Sequence, residues 1–203
     1  MMIIVVHGHS QKLNKNKGLD LLTKELRDKS HHVHEFQWNG DLNQAAFNIK
    51  EHKHGYKLIG IAYSWGNPWL RWLADDFNIH FLQIHHIAPV NRQKGFPYSF
   101  RQVKAILRIG DFKTAKNAKK VYAYRQVNDR PAEKRVKGYN IASPQIVLGT
   151  EKRIKKYAGK AWRFGKVTAH EAWIQASAKH GNMDDNRMIH RRIMERIEYD
   201  EVH

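Results

Sequence analysis

Cysteine is absent from the 203 residues. That removes a disulfide scaffold, a thiol nucleophile and thiolate metal ligands, and it fits a reducing compartment. Long hydrophobic runs are also missing, and the opening Met1-Met2-Ile3-Ile4-Val5-Val6 meets His7 with no basic leader before it. Neither an export signal nor a membrane span is encoded, so the expectation is a cytoplasmic protein. No internal repeat and no low-complexity linker divides the chain, and 41% hydrophobic with 11% aromatic residues suffices for a real core. A single domain over residues 1–203 is expected.

Acidic residues are scarce. Against 36 Lys+Arg stand 19 Asp+Glu, a net charge of +17 with the 14 histidines neutral. Such a balance is the footprint of a nucleic-acid binder. Its distribution is uneven: basic residues are thin to about residue 90 and then crowd between Arg92 and Arg163. The densest clusters are Lys113 to Lys120, Arg130 to Lys137 and Lys152 to Lys160. This half forms either a solvated basic face or a surface that recruits an anionic partner such as nucleic acid.

Short β-rich runs alternate with amphipathic helical stretches through the first ninety residues, which is the rhythm of βαβ units. Met2 to Val6 is a continuous apolar run suited to a parallel strand covered on both faces, followed by Leu19, Leu22 and Leu26 at helical spacing. His32 to Trp38 alternates, with Val33 and Phe36 as inward candidates. Leu42, Ala45, Ala46 and Ile49 then line one face of a helix. A strand at Lys57 to Tyr63 runs into Ser64, a helix begins near Pro68, and another strand follows at Ile79 to His85. After Asn91 the pattern loosens into a basic, lid-like insertion over about 93–120, with a helix around Phe100 to Leu107. Strands are expected at Lys120 to Val127 and Gln145 to Leu148, and a final helix at Asp184 to Tyr199.

The sharpest local signal is Ile59-Gly60-Ile61-Ala62-Tyr63-Ser64-Trp65-Gly66, an apolar strand ending at a serine, with glycine two residues later and a helix beyond. It has the form of a nucleophile elbow, in which small residues two before and two after the serine let neighbouring backbone pass closely. Ala62 stands where the first glycine usually does, and A-x-S-x-G also occurs in ordinary strand-to-helix turns. His7-Gly8-His9-Ser10 ends the first strand in a glycine-containing turn able to aim backbone N–H groups at a common point.

Together, the opening strand with His-Gly, its helix, the Trp38 to Asp41 loop, the elbow and the next strand resemble the α/β-hydrolase superfamily, particularly small lipases and esterases without a large cap. The resemblance covers residues 2 to 91 and extends to the remainder by order of elements. It implies an open, mostly parallel α/β sheet with helices on both faces, reduced in size because the strands that usually precede His-Gly are missing. It also implies cleavage of an ester or related acyl bond in a small-molecule acyl substrate. The two oxyanion-hole N–H groups would come from His9 and Trp65, with no cofactor required.

A serine hydroxyl needs a base, and the base an orienting acid. The family order is serine, acid, histidine. Asp129, just past the Lys120 to Val127 strand, is the best-placed acid, with Asp111 second. An Asx turn before Pro131 also explains Asp129. For the base, His170 fits a β-like stretch giving way to a helix, ahead of His180, His190 and His203. Trp65 and Trp38 could line an acyl pocket, whereas Trp69 and Trp72 suit a helix core. His-x-His recurs among the N-terminal histidines, but no nearby carboxylate or third histidine completes a metal site, and no metal is expected. A noncatalytic protein of this fold, binding nucleic acid or another acidic partner through its basic half, is the alternative.

Overall fold

The computed structural model describes residues 1–9, 18–89, 112–126, 146–147, 162–164, 167–174 and 183–202. The first ninety residues follow the alternating rhythm read from the sequence. They form β1 (Met2–His7), α1 (Leu19–Asp28), β2 (His32–Gln37), α2 (Leu42–His52), β3 (Leu58–Tyr63), α3 (Gly66–Asp76) and β4 (Phe81–Ile87). Beyond them lie β5 (Phe112–Lys113), β6 (Ala118–Gln126), β7 (Ile146–Val147), β8 (Trp162–Phe164), β9 (Val167–Ile174) and α4 (Arg187–Val202). The main sheet has the order β2-β1-β3-β4-β6-β9-β8; every pairing is parallel except β8 with β9. Strands β5 and β7 pair separately, in parallel.

Two apolar layers account for this α/β architecture. Because side chains alternate across a strand, Met2, Ile4 and Val6 of β1 face one way and pack with Ala45, Ala46 and Ile49 of α2 and Trp69, Leu70 and Leu73 of α3. Ile3 and Val5 face the other way, toward Leu19, Leu22 and Leu26 of α1 and Ile189, Ile193 and Ile197 of α4. A strand covered on both faces needs no polar positions, hence the unbroken apolar run in β1. Each such side chain, buried, contributes about 1.5–3 kcal/mol. Val33 and Phe36 of β2, both read as inward, lie against opposite layers, Phe36 on the α2/α3 side and Val33 on the α1/α4 side.

Helix ends follow local chemistry. Asp41 caps α2, its Oδ1 accepting the N–H groups of Asn43 at 2.8 Å and Gln44 at 3.3 Å. Asn186 does the same for α4, accepting from Met188 at 3.0 Å. A buried polar contact also docks α4: Gln83 Nε2 donates to Asp200 Oδ2 at 2.7 Å and to the Arg196 carbonyl at 3.0 Å.

Two sequence expectations change. Part of the stretch read as an insertion is sheet, since Phe112–Lys113 is β5 and β6 begins at Ala118, paired with Phe81 of β4. Residues 93–111, including the expected helix at Phe100 to Leu107, lie outside the described residues. The helix expected just after His170 is strand instead: β9 runs unbroken to Ile174 in register with β6. Its β-branched and aromatic residues, Val167, Thr168, Trp173 and Ile174, fit a pleated surface.

Candidate active site

The chain leaves β1 to build β2 on one side and returns to place β3 on the other. Such a reversal of winding opens a crevice at the carboxyl ends of the two diverging strands, where open α/β sheets bind ligands. The two motifs singled out in the sequence both stand there: His7 ends β1, and Ser64 follows Tyr63, the last residue of β3.

Ser64 adopts φ 51°, a left-handed conformation rare for a residue with a Cβ. The chain cannot pass from β3 into α3 so abruptly by ordinary backbone angles. What holds the strained turn is visible around it. The Ser64 N–H donates to the Ile87 carbonyl at 3.0 Å, extending the β3–β4 ladder by one residue. Asn67, fully buried, donates from Nδ2 to the Ser64 carbonyl at 2.9 Å and to the Ile87 carbonyl at 3.1 Å. Its Oδ1 accepts from Nδ1 of His86 at 2.8 Å, which fixes the His86 tautomer. Burial pushes the His86 imidazole down to about 3, with the Arg71 charge adding in the same direction, so it stays neutral.

Gly66 makes the turn possible. A Cβ there would meet the Val6 carbonyl oxygen at 2.5 Å and the His7 carbonyl oxygen at 3.0 Å, so the elbow is pressed against the end of β1. Gly8 is pressed from the other side, where a Cβ would lie 2.8 Å from the Tyr63 ring and 3.0 Å from Ser64 Cβ. Gly8 therefore packs directly against the elbow. Ala62 is fully buried on the α2/α3 side of β3, a small residue where the pentad motif has glycine. The Trp65 N–H sits at the amino end of α3. Trp65, His9 and Trp38 form an aromatic triangle with ring centres 4.9 Å (His9–Trp65), 5.2 Å (His9–Trp38) and 5.2 Å (Trp38–Trp65) apart. Trp69 and Trp72 are buried in the helix core as expected.

Other predicted residues lie farther off or outside the described residues. Asp129 lies outside them, three residues beyond the end of β6. His170 lies within β9, opposite Tyr122 of β6. Following the register from Tyr63 to Ile87, Tyr124 and Ala172 places His170 three strands away and three residues behind the level of Ser64. At about 4.8 Å per strand and 3.3 Å per residue, the two Cα atoms are about 17 Å apart. That exceeds the reach of a hydrogen bond between their side chains, so the structure does not bring His170 to Ser64. His190 is buried in α4, where its Nε2 donates to the Asp184 carbonyl at 2.5 Å. His180 lies outside the described residues, after β9 and before α4 in the sequence.

The partners of His7 near the crevice were not legible from spacing. His7, with 1% of its surface exposed, places Nε2 2.8 Å from Glu35 Oε2 and 3.8 Å from Asp20 Oδ1. Arg27 holds the second Glu35 oxygen at 2.8 Å. Burial works to raise the Glu35 carboxyl, but the His7 and Arg27 contacts outweigh it and hold it below the usual carboxylate range. Asp184, in the turn before α4, is raised to about 7 by burial and then by the like charge of Asp185. It couples electrostatically to His7 and to Tyr63, whose hydroxyl is pushed up by its own burial first and by Asp184 second.

No protein-family model matches the chain, and no curated protein matches it. Two solved structures are similar to the chain. One is an uncharacterized protein from Bacillus cereus ATCC 10987, with TM-score 0.47 and 12% identity over 98% of this chain and 60% of that one. The chain thus spans about 60% of that protein's length. The other, from Xanthomonas campestris pv. campestris, is described as a candidate hydrolase of the alpha/beta superfamily. Its TM-score is 0.41 and its identity 11%, covering 72% of this chain and 84% of that one.

Proposed function

We propose that the protein is a serine hydrolase that cleaves an ester or related acyl bond, with Ser64 as nucleophile. The observation that carries this reading is the left-handed turn at Ser64, φ 51°, between β3 and α3 at the point where the sheet reverses its winding. Backbone strain of this kind costs about 1–3 kcal/mol and persists where the surroundings over-determine it. Here Asn67, the Ile87 carbonyl and the close pack of Gly66 on β1 do so.

In the proposed mechanism Ser64 Oγ attacks the acyl carbonyl and gives its proton to a histidine, which passes it to the leaving group. The N–H groups of His9 and Trp65 stabilise the oxyanion, and water then releases the acyl group from the serine. Asp129, following the strand two places beyond β3 in the sheet, orients the imidazole. The register of His170 within β9 disfavours it as the base, and His180, from the connection after β9, takes that role. The aromatic triangle of His9, Trp38 and Trp65 at the mouth favours a substrate with an apolar acyl group.

Hydrolysis of short activated esters by full-length variants tests this assignment. Ser64→Ala, Asp129→Asn and His180→Gln should each lower kcat/KM by about a hundredfold or more, as removal of triad members does, while His170→Gln stays near the parent. Loss in His170→Gln with retention in His180→Gln would restore the first assignment. An unchanged rate in Ser64→Ala would end the serine reading. Separately, we propose that the basic excess between Arg92 and Arg163 recruits an anionic partner without entering the chemistry.

A further inference from the structure

We propose that His7, Asp20 and Glu35 form a binding site for a zinc-type divalent cation at the end of β1, distinct from the serine chemistry. The sequence hides it, because the three come from β1, the first turn of α1 and β2, with 12 and 14 residues between successive members. Parallel pairing of β1 with β2 is what brings Glu35 beside His7.

The donor set is one imidazole nitrogen and two carboxylate oxygens, which suits borderline first-row ions. All three donor atoms lie within 4.8 Å of one another. An ion at about 2.0–2.2 Å from each ligand in tetrahedral geometry needs them about 3.3–3.6 Å apart. The His7–Asp20 separation of 3.8 Å and the His7–Glu35 separation of 2.8 Å bracket that spacing, so these two pairs need adjustments below an ångström, and the Asp20–Glu35 pair starts within 4.8 Å.

Further observations point to a cation. A single Nε2–H donates along one direction and cannot serve both carboxylates that face this nitrogen, whereas an ion replacing the proton binds all three groups. The buried imidazole has its ring nitrogen already aimed at the cluster. In a chain of net charge +17, a third carboxylate, Asp184 from the turn before α4, also couples electrostatically to His7 beside Asp20 and Glu35. Arg27 on the outer oxygen of Glu35 would then act as the hydrogen-bonding partner that orients a ligating carboxylate. Bound there, the ion would tie α1 and β2 to the His7-Gly8-His9 turn.

Cobalt(II) is the probe, because it takes the same donors as zinc and its visible absorption reports nitrogen and oxygen coordination. Full-length protein freed of metal by chelation should take up one equivalent with a visible band, and zinc should displace it. Asp20→Asn and Glu35→Gln should each weaken this site by about tenfold to a hundredfold or more. Both residues are partly exposed, so these isosteric variants test the site even if His7→Gln fails to fold. His52→Gln is the control for surface binding, since His34 and His52 form another histidine pair with ring centres 6.0 Å apart; it should leave the site intact. Ser64→Ala should bind cobalt as the parent does, so the result stands apart from the hydrolase reading. No cobalt uptake, affinity unchanged by Asp20→Asn and Glu35→Gln, or loss only in His52→Gln would overturn the proposal and leave the cluster a proton-bridged ion pair.

Discussion

Strain at Ser64 can be measured without knowing the substrate. At ordinary backbone angles glycine is less stable than alanine by roughly 0.5–1 kcal/mol, because its unfolded chain has more freedom to lose. At φ 51° the order should reverse, since a Cβ in the left-handed region costs about 1–2 kcal/mol that glycine does not incur. Subtracting the entropy term at mid-range values leaves Ser64→Gly more stable than Ser64→Ala by about 0.75 kcal/mol. Both variants lack Oγ, so its contacts cancel in the comparison, and the difference lies in the Cβ, in its backbone strain and its burial. For a chain of this size the gap corresponds to about 1–4 °C in Tm. Urea denaturation with a common m-value gives it directly. Ser64→Ala equal to or more stable than Ser64→Gly would refute the strained elbow, and with it the main support for the serine nucleophile.

Gly66→Ala places a methyl 2.5 Å from the Val6 carbonyl oxygen, among backbone atoms that cannot rotate away. It should destabilise by about 1–3 kcal/mol and lower ester hydrolysis by about a hundredfold through misplacement of Ser64; an unchanged melt and rate would contradict the packing. Asp184→Asn should stabilise the protein at pH 8, because the folded carboxyl titrates at about 7 against 3.8 in its ordinary state and resists ionisation. The gain is bounded by about 4 kcal/mol. It should shrink as pH falls through 7 toward 4, where the parent carboxyl becomes protonated; chemical melts of both proteins at pH 8 and 5, in chelator, check the sign. Raising salt from 0.1 M to 1 M shortens the Debye length from about 10 Å to about 3 Å. Binding to DNA should collapse over that range while hydrolysis of a neutral ester changes little; no DNA binding at low salt would reduce the basic half to a solvated face.

The first half of the fold was legible because its signals are local. β1 and β3 are apolar on both faces and α1 carries leucines at helical spacing, so composition and period agree with the burial observed. The elbow was legible for the same reason: Ser64 and Gly66 are neighbours in sequence, and the turn they make is a local event. The helix expected after His170 is strand because Val167 to Ile174 carries apolar residues compatible with either period, and only pairing to β6 decides for strand. Asn67 and His86 support the elbow from 3 and 22 residues away, and their hydrogen bond depends on α3 lying over β4. His7, Asp20 and Glu35 meet through sheet register, which single-sequence spacing does not encode.

The central claim, that Ser64 is a covalent nucleophile, is tested most directly by a fluorophosphonate and peptide mass spectrometry on the folded full-length protein. A single adduct on the peptide containing Ser64, abolished by prior heat denaturation and absent in Ser64→Ala, is the predicted result. Folded protein that forms no adduct at Ser64, with activated esters left intact, would contradict the account.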